Sequence, residues 1–389
     1  MNKRTFLILA LCMFSSTLGM GIVIPLLPLY AENMGATGIW LGLIVAAYYI
    51  SNSVFVPIAG RFSDQRGRKL FLTIGLLAYS IISLGYVWAD NVTQLCMVRL
   101  IHGIAGAMTI PIAMAYLGDL SPEGEEGKWM GYANIAFFSG FGFGPLMGGV
   151  LTDHFGITTT FYTMSGLNML AFLIALLLLS EVSRRKIRED SPTLSFREMG
   201  RSSMIKGLFS FRLVQALGRG GIATFLPIFA ATAIGLSPSL IGTLLAVNFS
   251  SWLVFTPLGG LIADKVNRRT ITILGSILFV ALLAAIPMAN SFWQLLTVLF
   301  IQAIGGALSM PAASALTVEE GRRFGMGSTM SVFFLAMGIG MTLGPIISGL
   351  IHDWFDINSV FYFGAVVGLM GTGLFAWFTR QYRERKIEI

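Results

Sequence analysis

Long apolar stretches separated by short polar connections run through the whole chain of 389 residues. The stretches 5–31, 33–60 and 70–89 contain no charged side chain. Since about 20 apolar residues suffice for a helix to cross a bilayer, each stretch predicts one membrane-spanning helix. The uncharged segment 270–318 divides into two helices at the turn-forming pair Asn290-Ser291. Applied to the whole chain, the pattern predicts twelve membrane-spanning helices, six in each half.

The two halves share a repeated pattern of Gly, Pro and charged residues at one fixed offset. The matched pairs include Gly21 and Gly221, Pro57 and Pro257, Gly60 and Gly260, Asp64 and Asp264, Arg68 and Arg268, Gly144 and Gly344, and Asp153 and Asp353. These residue types fix backbone shape and helix ends, so the repeat is architectural. It predicts an all-α membrane protein of two pseudo-symmetric six-helix bundles, 1–180 and 207–389, which are joined by a cytoplasmic linker at 181–206 and enclose a central cavity.

Composition and charge agree with this prediction. The chain is 55% hydrophobic and 12% charged, with a mean hydropathy of +0.77. Of its 26 Lys and Arg residues, all but Arg99, Arg212 and Arg219 fall at positions that face the cytoplasm if the N-terminus is inside. This follows the positive-inside rule, so we expect a protein of the cytoplasmic membrane with both termini in the cytoplasm. The net charge of +7 then reflects topology and the anionic lipid surface rather than a nucleic-acid partner.

The connection after the second helix, 60–69, predicts a tight turn with a charged latch. Gly67, or Asn267 in the second half, tolerates the positive φ of such a turn. Arg68 is expected to pair with Asp119 at the end of the fourth helix, and the second half repeats this pair. The predicted latch residues are Asp64, Arg68, Asp119, Asp264, Arg268 and Glu319. The alternative is that these charges only anchor helix ends at the membrane surface.

The fifth predicted helix has a dense pattern of small residues. The pattern consists of Gly140, Gly144, Pro145, Gly148 and Gly149. Glycines four positions apart let neighbouring helices approach closely, and Pro145 removes a backbone hydrogen bond and permits a kink. We therefore expect this helix to pack tightly against its neighbours.

Ionisable residues inside the helices are the best candidates for chemistry. Arg99 and His102 in the fourth helix correspond to Leu299 and Gln302 in the tenth, and Arg219 lies in the seventh. A membrane-embedded arginine almost always faces a cavity or a partner, and histidine exchanges protons readily near neutral pH. We predict that all three contribute to a substrate cavity, whereas Arg212, nearer the cytoplasmic entrance of the seventh helix, is expected to be an interfacial anchor. The alternative for Arg99 is a structural arginine that is hydrogen-bonded or snorkels to the membrane surface. The alternative for Arg219 is that it has no role in the cavity, and for His102 that it is a neutral histidine packed in the interior.

Aromatic and amide side chains complete the predicted cavity. The candidates are Tyr48, Asn134, Phe138, Phe225, Asn248 and Trp252. Together they suit a large amphipathic compound, because ligand pockets are mostly apolar with a few polar groups. The 19 acidic residues all fall in loops or close to predicted helix ends, so the interior has no obvious carboxylate for a cationic compound.

Three motifs resemble those of one transporter family. The loop 60–69 resembles the G-x-x-x-D-x-x-G-R-K signature of the major facilitator superfamily, and 99–103 resembles its R-x-x-Q-G motif, with His102 at the usual glutamine position. The glycine pattern of 131–149 is similar to the motif of the drug–proton antiporters in that superfamily. The resemblance covers the chain from the first helix to the twelfth. It implies a transporter, expected to be monomeric, that exports amphipathic, drug-like molecules by alternating access while protons move inward.

The resemblance also implies which elements form the cavity and which groups carry the proton. The first, fourth, seventh and tenth helices are expected to line the cavity, and His102, Asp119 and Glu319 are the proton-coupling candidates. The alternative is an anionic metabolite or lipid head group, bound by Arg99 and Arg219 and moved by uniport or symport. We expect no metal or cofactor and no enzymatic activity, because the sequence has no nucleotide-binding loop, no metal-ligand cluster and no nucleophile–base spacing.

Overall fold

The computed structural model of the protein describes the backbone of residues 3–122, 126–180, 199–324 and 326–380, and their side chains except those of 126–128, 264 and 326–328. Its α-helices are α1 (Lys3–Asn33), α2 (Gly38–Arg66), α3 (Arg68–Trp88), α4 (Val92–Ala107), α5 (Ile110–Leu120), α6 (Glu126–Phe155), α7 (Ile157–Leu178), α8 (Ser203–Thr232), α9 (Pro238–Lys265), α10 (Arg268–Ala285), α11 (Phe292–Phe324), α12 (Met326–Trp354) and α13 (Ile357–Phe378). A 3₁₀ turn, Ile286–Met288, follows α10. Because α4 and α5 together form one span, the described chain holds 12 helices long and apolar enough to cross a membrane. The predicted number of spans is confirmed.

Glycines with positive φ form several of the tight connections. Gly35 (φ 82°) and Gly235 (φ 74°) occupy equivalent turns of the two halves, and Gly67 (φ 107°) separates α2 from α3. The prediction of a positive φ at Asn267 is wrong, since this residue has φ −53°. Its Oδ1 instead accepts a hydrogen bond from the backbone N–H of Thr270 at 3.1 Å. The asparagine therefore acts as the N-cap of α10 rather than adopting the backbone conformation of the glycine.

The fourth span is interrupted, whereas its counterpart α11 is continuous. Between α4 and α5 the backbone of Thr109 leaves the helical region (φ −101°, ψ −85°), and Pro111 lies in the first turn of α5. Proline suits that position because its missing N–H would have no partner there. In the second half, α11 continues through Pro311. The helix α3 lies directly against the break, since a Cβ on Gly75 would come within 2.8 Å of the carbonyl carbon of Met108.

Contacts divide the chain into two compact units. The first contains 1–187 and 223–250, and the second contains 188–222 and 251–389. The first unit therefore includes the end of α8 and the first half of α9 in addition to α1–α7. The division that the repeat predicts, with a linker at 181–206, stays a prediction, because most of that linker lies outside the described residues.

Buried polar contacts tie α1, α3 and α7 together in the first unit. The hydroxyl of Tyr79 on α3 donates to the carbonyl oxygen of Ser16 on α1 at 3.2 Å. The hydroxyl of Ser16 donates to Asn168 Oδ1 on α7 at 3.4 Å, and the Ser80 hydroxyl donates to the carbonyl oxygen of Ser165 at 2.8 Å. With no water in a bilayer core, such pairing satisfies groups that would otherwise cost free energy. These contacts hold α1, α3 and α7 in fixed positions relative to one another.

Small residues and aromatic rings hold the second unit together. A Cβ on Gly275 of α10 would lie 2.7 Å from the carbonyl oxygen of Gly305 of α11, so these two helices touch through their backbones. The rings of Phe211 on α8 and Phe375 on α13 pack with their centroids 5.6 Å apart.

Candidate functional site

Arg99 and His102 lie one turn apart on the same side of α4 and face the interior of the first unit. Arg99 is 4% exposed. Its Nε donates to the carbonyl oxygen of Ile44 on α2 at 3.4 Å, and its Nη1 donates to the hydroxyl of Tyr86 on α3 at 3.5 Å. The guanidinium carbon lies 4.7 Å from the centre of the Tyr48 ring, which is within the range of a cation–π interaction. Arg99 thus links three helices.

His102 is fully buried among tyrosines. Its Nδ1 lies 2.6 Å from the hydroxyl oxygen of Tyr86. The ring of Tyr79 packs against it edge to face at 4.0 Å, and Tyr48 does so at 5.7 Å. Its Nε2 has no hydrogen-bond partner within the described chain. The two tyrosines of α3 therefore complete a network that the sequence pattern did not indicate, because tyrosine in an apolar helix is common and has no diagnostic spacing.

Gly103, which follows His102 in the R-x-x-Q-G-like motif, allows α4 to pack closely against α2. A Cβ on Gly103 would overlap the hydroxyl of Ser51 and the carbonyl of Tyr48, and it would lie 3.1 Å from the backbone nitrogen of Asn52. Across this close contact the amide of Asn52 donates to the carbonyl oxygen of Gly103 at 3.2 Å. Any larger residue at position 103 would separate the two helices and move Arg99 away from α2.

Ion pairs connect the loop after α2 with the end of α5. Arg68 Nη2 lies 2.5 Å from Asp64 Oδ1, and Arg68 Nε lies 2.9 Å from Asp119 Oδ2. The remaining nitrogen, Nη1 of Arg68, donates to the Ser63 hydroxyl at 2.8 Å. All the polar nitrogens of Arg68 are thus held by oxygen atoms. The pair expected between Arg68 and Asp119 is present, and its function as a latch stays a prediction.

The second unit repeats this arrangement in a looser form. Arg268 Nη1 lies 3.8 Å from Glu319 Oε2, and the side chain of Asp264 lies outside the described residues. The next residue, Arg269, donates to the Thr379 hydroxyl at 3.0 Å and to the carbonyl oxygen of Ala376 at 2.9 Å. Arg269 therefore caps the C-terminus of α13, where a cation is favoured by the helix dipole. The sequence pattern did not predict this contact.

The glycines of α6 form a contact with α1. A Cβ on Gly144 would lie 2.6 Å from the carbonyl oxygen of Leu18 and 2.7 Å from Cα of Gly21. A Cβ on Gly140 would lie 2.7 Å from the backbone nitrogen of Leu18, and one on Gly148 would lie 3.2 Å from Cα of Ile22. Positions 140, 144 and 148 are four residues apart and share a face of the helix. The two backbones consequently touch along two turns.

A second face of α6 packs against the first half of α9, within the first unit. A Cβ on Gly149 would lie 2.9 Å from Cα of Ser239, and Asp153 Oδ2 accepts a hydrogen bond from the backbone N–H of Ser239 at 2.9 Å. The rings of Phe141 and Phe249 continue this contact at a centroid distance of 5.5 Å. A carboxylate at a helix N-terminus is stabilised by unpaired N–H groups and by the helix dipole. Asp153 therefore stabilises the start of α9 in addition to lying at the end of its own helix.

The remaining cavity candidates lie in different surroundings. In the second unit the guanidinium of Arg219 lies 4.3 Å from the centre of the Trp252 ring, a cation–π contact. In the first unit Phe225 is fully buried, Asn248 and Phe138 are half-buried and Asn134 is exposed. The structure thus brings Tyr48 together with Arg99 and His102, and Trp252 together with Arg219.

Arg212 differs from the sequence-based expectation. We expected an interfacial anchor nearer the cytoplasmic entrance, yet the residue is 7% exposed and lies inside the second unit. The neighbouring residues gave no sign of this, because the hydrophobic pattern of a membrane helix does not distinguish a face against lipid from a face against protein.

Comparisons with known proteins agree with the motifs. The family model described as Major Facilitator Superfamily matches residues 9–214 and 208–388. Similar sequences include an MFS-type transporter of Methanocaldococcus jannaschii (27% identical, covering 95% of this chain and 96% of the relative), the quinolone resistance protein NorA of Staphylococcus aureus (27%, 95% and 95%) and the multidrug resistance protein MdtG of Salmonella heidelberg (26%, 99% and 98%).

Solved structures resemble the chain in fold. A bacterial homolog of the human lysosomal transporter Spinster superimposes with a TM-score of 0.85 at 17% identity, covering 99% of this chain and 100% of that one. The nucleoside transporter NupG superimposes with a TM-score of 0.81 at 17% identity, covering 96% and 99%. At these identities the likeness concerns the fold alone, and it confirms the fold class that the repeat and the motifs predicted.

Proposed function

Because the chain belongs to the Major Facilitator Superfamily, a family of secondary transporters, we propose that it exports amphipathic small molecules by alternating access, driven by protons that move inward. It is an integral membrane protein with transport, not catalysis, as its activity. The protein is then a monomer in the cytoplasmic membrane, and both of its termini lie in the cytoplasm. Its partners are then the substrate, protons and the lipid bilayer.

The packing of α6 is the observation that carries this proposal. Gly140 and Gly144 hold α6 against α1 through backbone contact, whereas Gly149 and Asp153 hold its far end against the start of α9. Alternating access requires one contact that persists and one that opens. We propose that the contact with α1 persists and that the contact with Ser239 opens when substrate leaves.

The drug-like substrate class is supported by the relatives. Two of the similar proteins are named for resistance to quinolones and to multiple drugs, and the matches span nearly the whole length of both chains. The aromatic side chains that accompany the buried arginines, Tyr48 at Arg99 and Trp252 at Arg219, suit a ligand with a flat apolar surface.

We assign proton coupling to Asp119 and Glu319 in preference to His102. A coupling group must exchange protons with water on each side of the membrane in turn. His102 is fully buried among tyrosines. The side chains of Asp119 and Glu319 are 32% and 36% exposed, and each is paired with an arginine. Protonation would neutralise the carboxylate and weaken its ion pair, which links proton uptake to the state of the latch.

Transport by the full-length protein in proteoliposomes tests this proposal. With a pH gradient of one unit, we expect at least one of three amphipathic dyes, cationic ethidium, neutral Nile red or anionic anilinonaphthalene sulfonate, to be moved against its own gradient. If one proton is exchanged for each dye molecule without net movement of charge, the dye can accumulate roughly tenfold for each pH unit. Nigericin, which dissipates the gradient, should abolish accumulation. Equal movement with and without the gradient would exclude proton antiport.

Variants of the proposed coupling groups sharpen the test. The D119N and E319Q substitutions should remove the response to the pH gradient while exchange between equal pools of dye continues, whereas H102Q should retain the response. Loss of gradient-driven accumulation in H102Q alone would instead identify the histidine as the coupling group.

Removal of the latch arginine should change the transport rate. Arg68→Gln eliminates two ion pairs, each partly exposed and worth on the order of 0.5–1 kcal/mol, so the balance between the two transport states should shift by about fivefold to thirtyfold. We expect the initial rate of dye transport to change several-fold. Arg66→Gln is the matched control, since it removes an exposed arginine from the same turn. Equal effects of the two substitutions would show that these charges only anchor the helix.

The alternative function is transport of an anionic metabolite or lipid head group by uniport or symport. It is favoured by the absence, among the described residues, of a carboxylate that lies more than two turns from a helix end. Arg219→Gln separates the two functions: under the alternative it should weaken transport of the anionic dye selectively, and under proton-driven export of amphipathic compounds in general it should affect the three dyes alike.

A further inference from the structure

Arg212 lies inside the second unit with no carboxylate partner in the described chain. Its Nη1 lies 3.0 Å from the sulfur of Met310 and its Nη2 lies 2.7 Å from the sulfur of Met337. The guanidinium carbon lies 5.0 Å from the centre of the Phe333 ring. Oε1 of Gln215 lies 3.5 Å from Nη1. Its Nε has no hydrogen-bond partner among the described residues.

These surroundings are poor for a buried cation. A guanidinium presents five N–H donors and accepts nothing, and the thioether sulfur of methionine is a weak acceptor. Burying a charge without a counter-charge costs several kcal/mol, so buried charges in proteins are normally paired. An ionisable residue within a membrane span is by default a candidate for a functional site.

We infer that Arg212 binds the carboxylate of an amphipathic anion. Its two terminal nitrogens both face methionine side chains, which are unbranched and adapt readily to a bound group. If Met310 and Met337 move aside, a carboxylate accepts two parallel hydrogen bonds from the planar guanidinium, the strongest pairing that this side chain makes. Phe333 and the two methionines then provide the apolar wall for the rest of the ligand.

Neighbouring residues on α8 extend this site. Positions 212, 215 and 219 fall on one face of the helix. The Gln215 amide nitrogen donates to the Ser309 hydroxyl at 3.4 Å, and both side chains are buried, so the amide oxygen is held towards Arg212. Two turns further along, Arg219 lies over the Trp252 ring. The proposed carboxylate site uses Arg212 and Gln215 and does not require Arg219.

The inference rests on the proposed function, because it narrows the substrate class of the same transporter to compounds that carry a carboxylate. Arg212 is nine residues from the start of α8, which places it about 14 Å along the helix. The carboxylate is thus held well inside the span rather than at its surface. A binding measurement without any gradient tests this site separately from proton-driven transport.

Equilibrium dialysis of the detergent-solubilised full-length protein tests the assignment. The probes are 1-naphthoate and its uncharged isostere 1-naphthamide. We expect saturable binding of naphthoate, stronger than that of naphthamide. Arg212→Gln should weaken naphthoate binding about tenfold to a hundredfold and leave naphthamide unchanged, as expected for the loss of hydrogen bonds to a charged group. Arg212→Lys, which keeps the charge without the planar fork, should fall in between. Arg201→Gln, an exposed arginine just before α8, is the control that should bind like the unaltered protein.

A thermal-stability measurement distinguishes a binding arginine from a structural one. If Arg212 serves a ligand, Arg212→Met should leave the melting temperature unchanged or raise it while naphthoate binding is lost, since apolar replacement of an unpaired buried charge relieves its cost. Equal binding of the two probes, or unchanged naphthoate binding in Arg212→Gln, would overturn the inference. A lower melting temperature in Arg212→Met with naphthoate binding intact would do the same. None of these outcomes depends on whether the pH gradient drives transport.

Discussion

Gly144→Ala is expected to destabilise the protein strongly although it adds only one methyl group. The new Cβ would lie 2.6 Å from the carbonyl oxygen of Leu18 and 2.7 Å from Cα of Gly21, both of which are backbone atoms of α1. Backbone cannot rotate away as a side chain can, so α1 and α6 must separate and lose contacts along their length. Overpacking of this kind costs typically about 1–3 kcal/mol. The loss should appear as a lower melting temperature of the purified protein and as a lower yield of monodisperse protein.

The same helix offers a matched control for this prediction. Gly131 also lies on α6, and a Cβ added there would have no atom within 4 Å. Gly131→Ala should be neutral or stabilising, because alanine favours a helix over glycine by up to about 1 kcal/mol. The contrast between the two variants measures the close contact rather than the helix propensity. If both variants melted at the same temperature, the α1–α6 contact would not be as tight as the structure describes.

The sequence predicted those features that follow from length, charge and backbone geometry. The runs without charge fixed the twelve spans, since a helix must be long enough to cross the bilayer. The pair of Arg68 and Asp119 was predicted because motif and repeat constrain it twice. Asn267 shows the limit of the repeat: a shared turn position is filled by a glycine with positive φ in one half and by a capping side chain in the other.

Residues whose role depends on which way a helix face points were not predictable. The apolar pattern of a membrane helix is similar towards lipid and towards protein, so neither the burial of Arg212 nor the ring of tyrosines around His102 follows from spacing. Tyr79 and Tyr86 are separated by two turns of α3, which brings them to one face, yet nothing in the sequence indicates that this face meets α4. Side-chain partners across helices require the packing itself.

Tyr86→Phe is expected to cost more than the loss of a single hydrogen bond. The hydroxyl of Tyr86 lies 2.6 Å from His102 Nδ1 and accepts a hydrogen bond from Arg99 at 3.5 Å. Removing it leaves a buried imidazole whose other nitrogen already has no partner within the described chain, and it takes one contact from a buried guanidinium. Each buried polar group that loses its partner costs about 1–3 kcal/mol, so we expect a total of roughly 2–4 kcal/mol. Thermal denaturation of the purified variant measures this cost.

A double-mutant cycle shows whether the cost arises from the pair. In the background of His102→Leu the imidazole is absent, so the additional effect of Tyr86→Phe should fall by at least about 1 kcal/mol. Tyr162→Phe is the control for loss of a phenolic hydroxyl, since Tyr162 is 52% exposed. This variant should have the same melting temperature as the unaltered protein. Additive effects of Tyr86→Phe and His102→Leu would mean that the two residues do not interact. Because the network joins α3 to α4, its stability also determines how firmly Arg99 is held, and a weakened network should lower transport even where the variant stays folded.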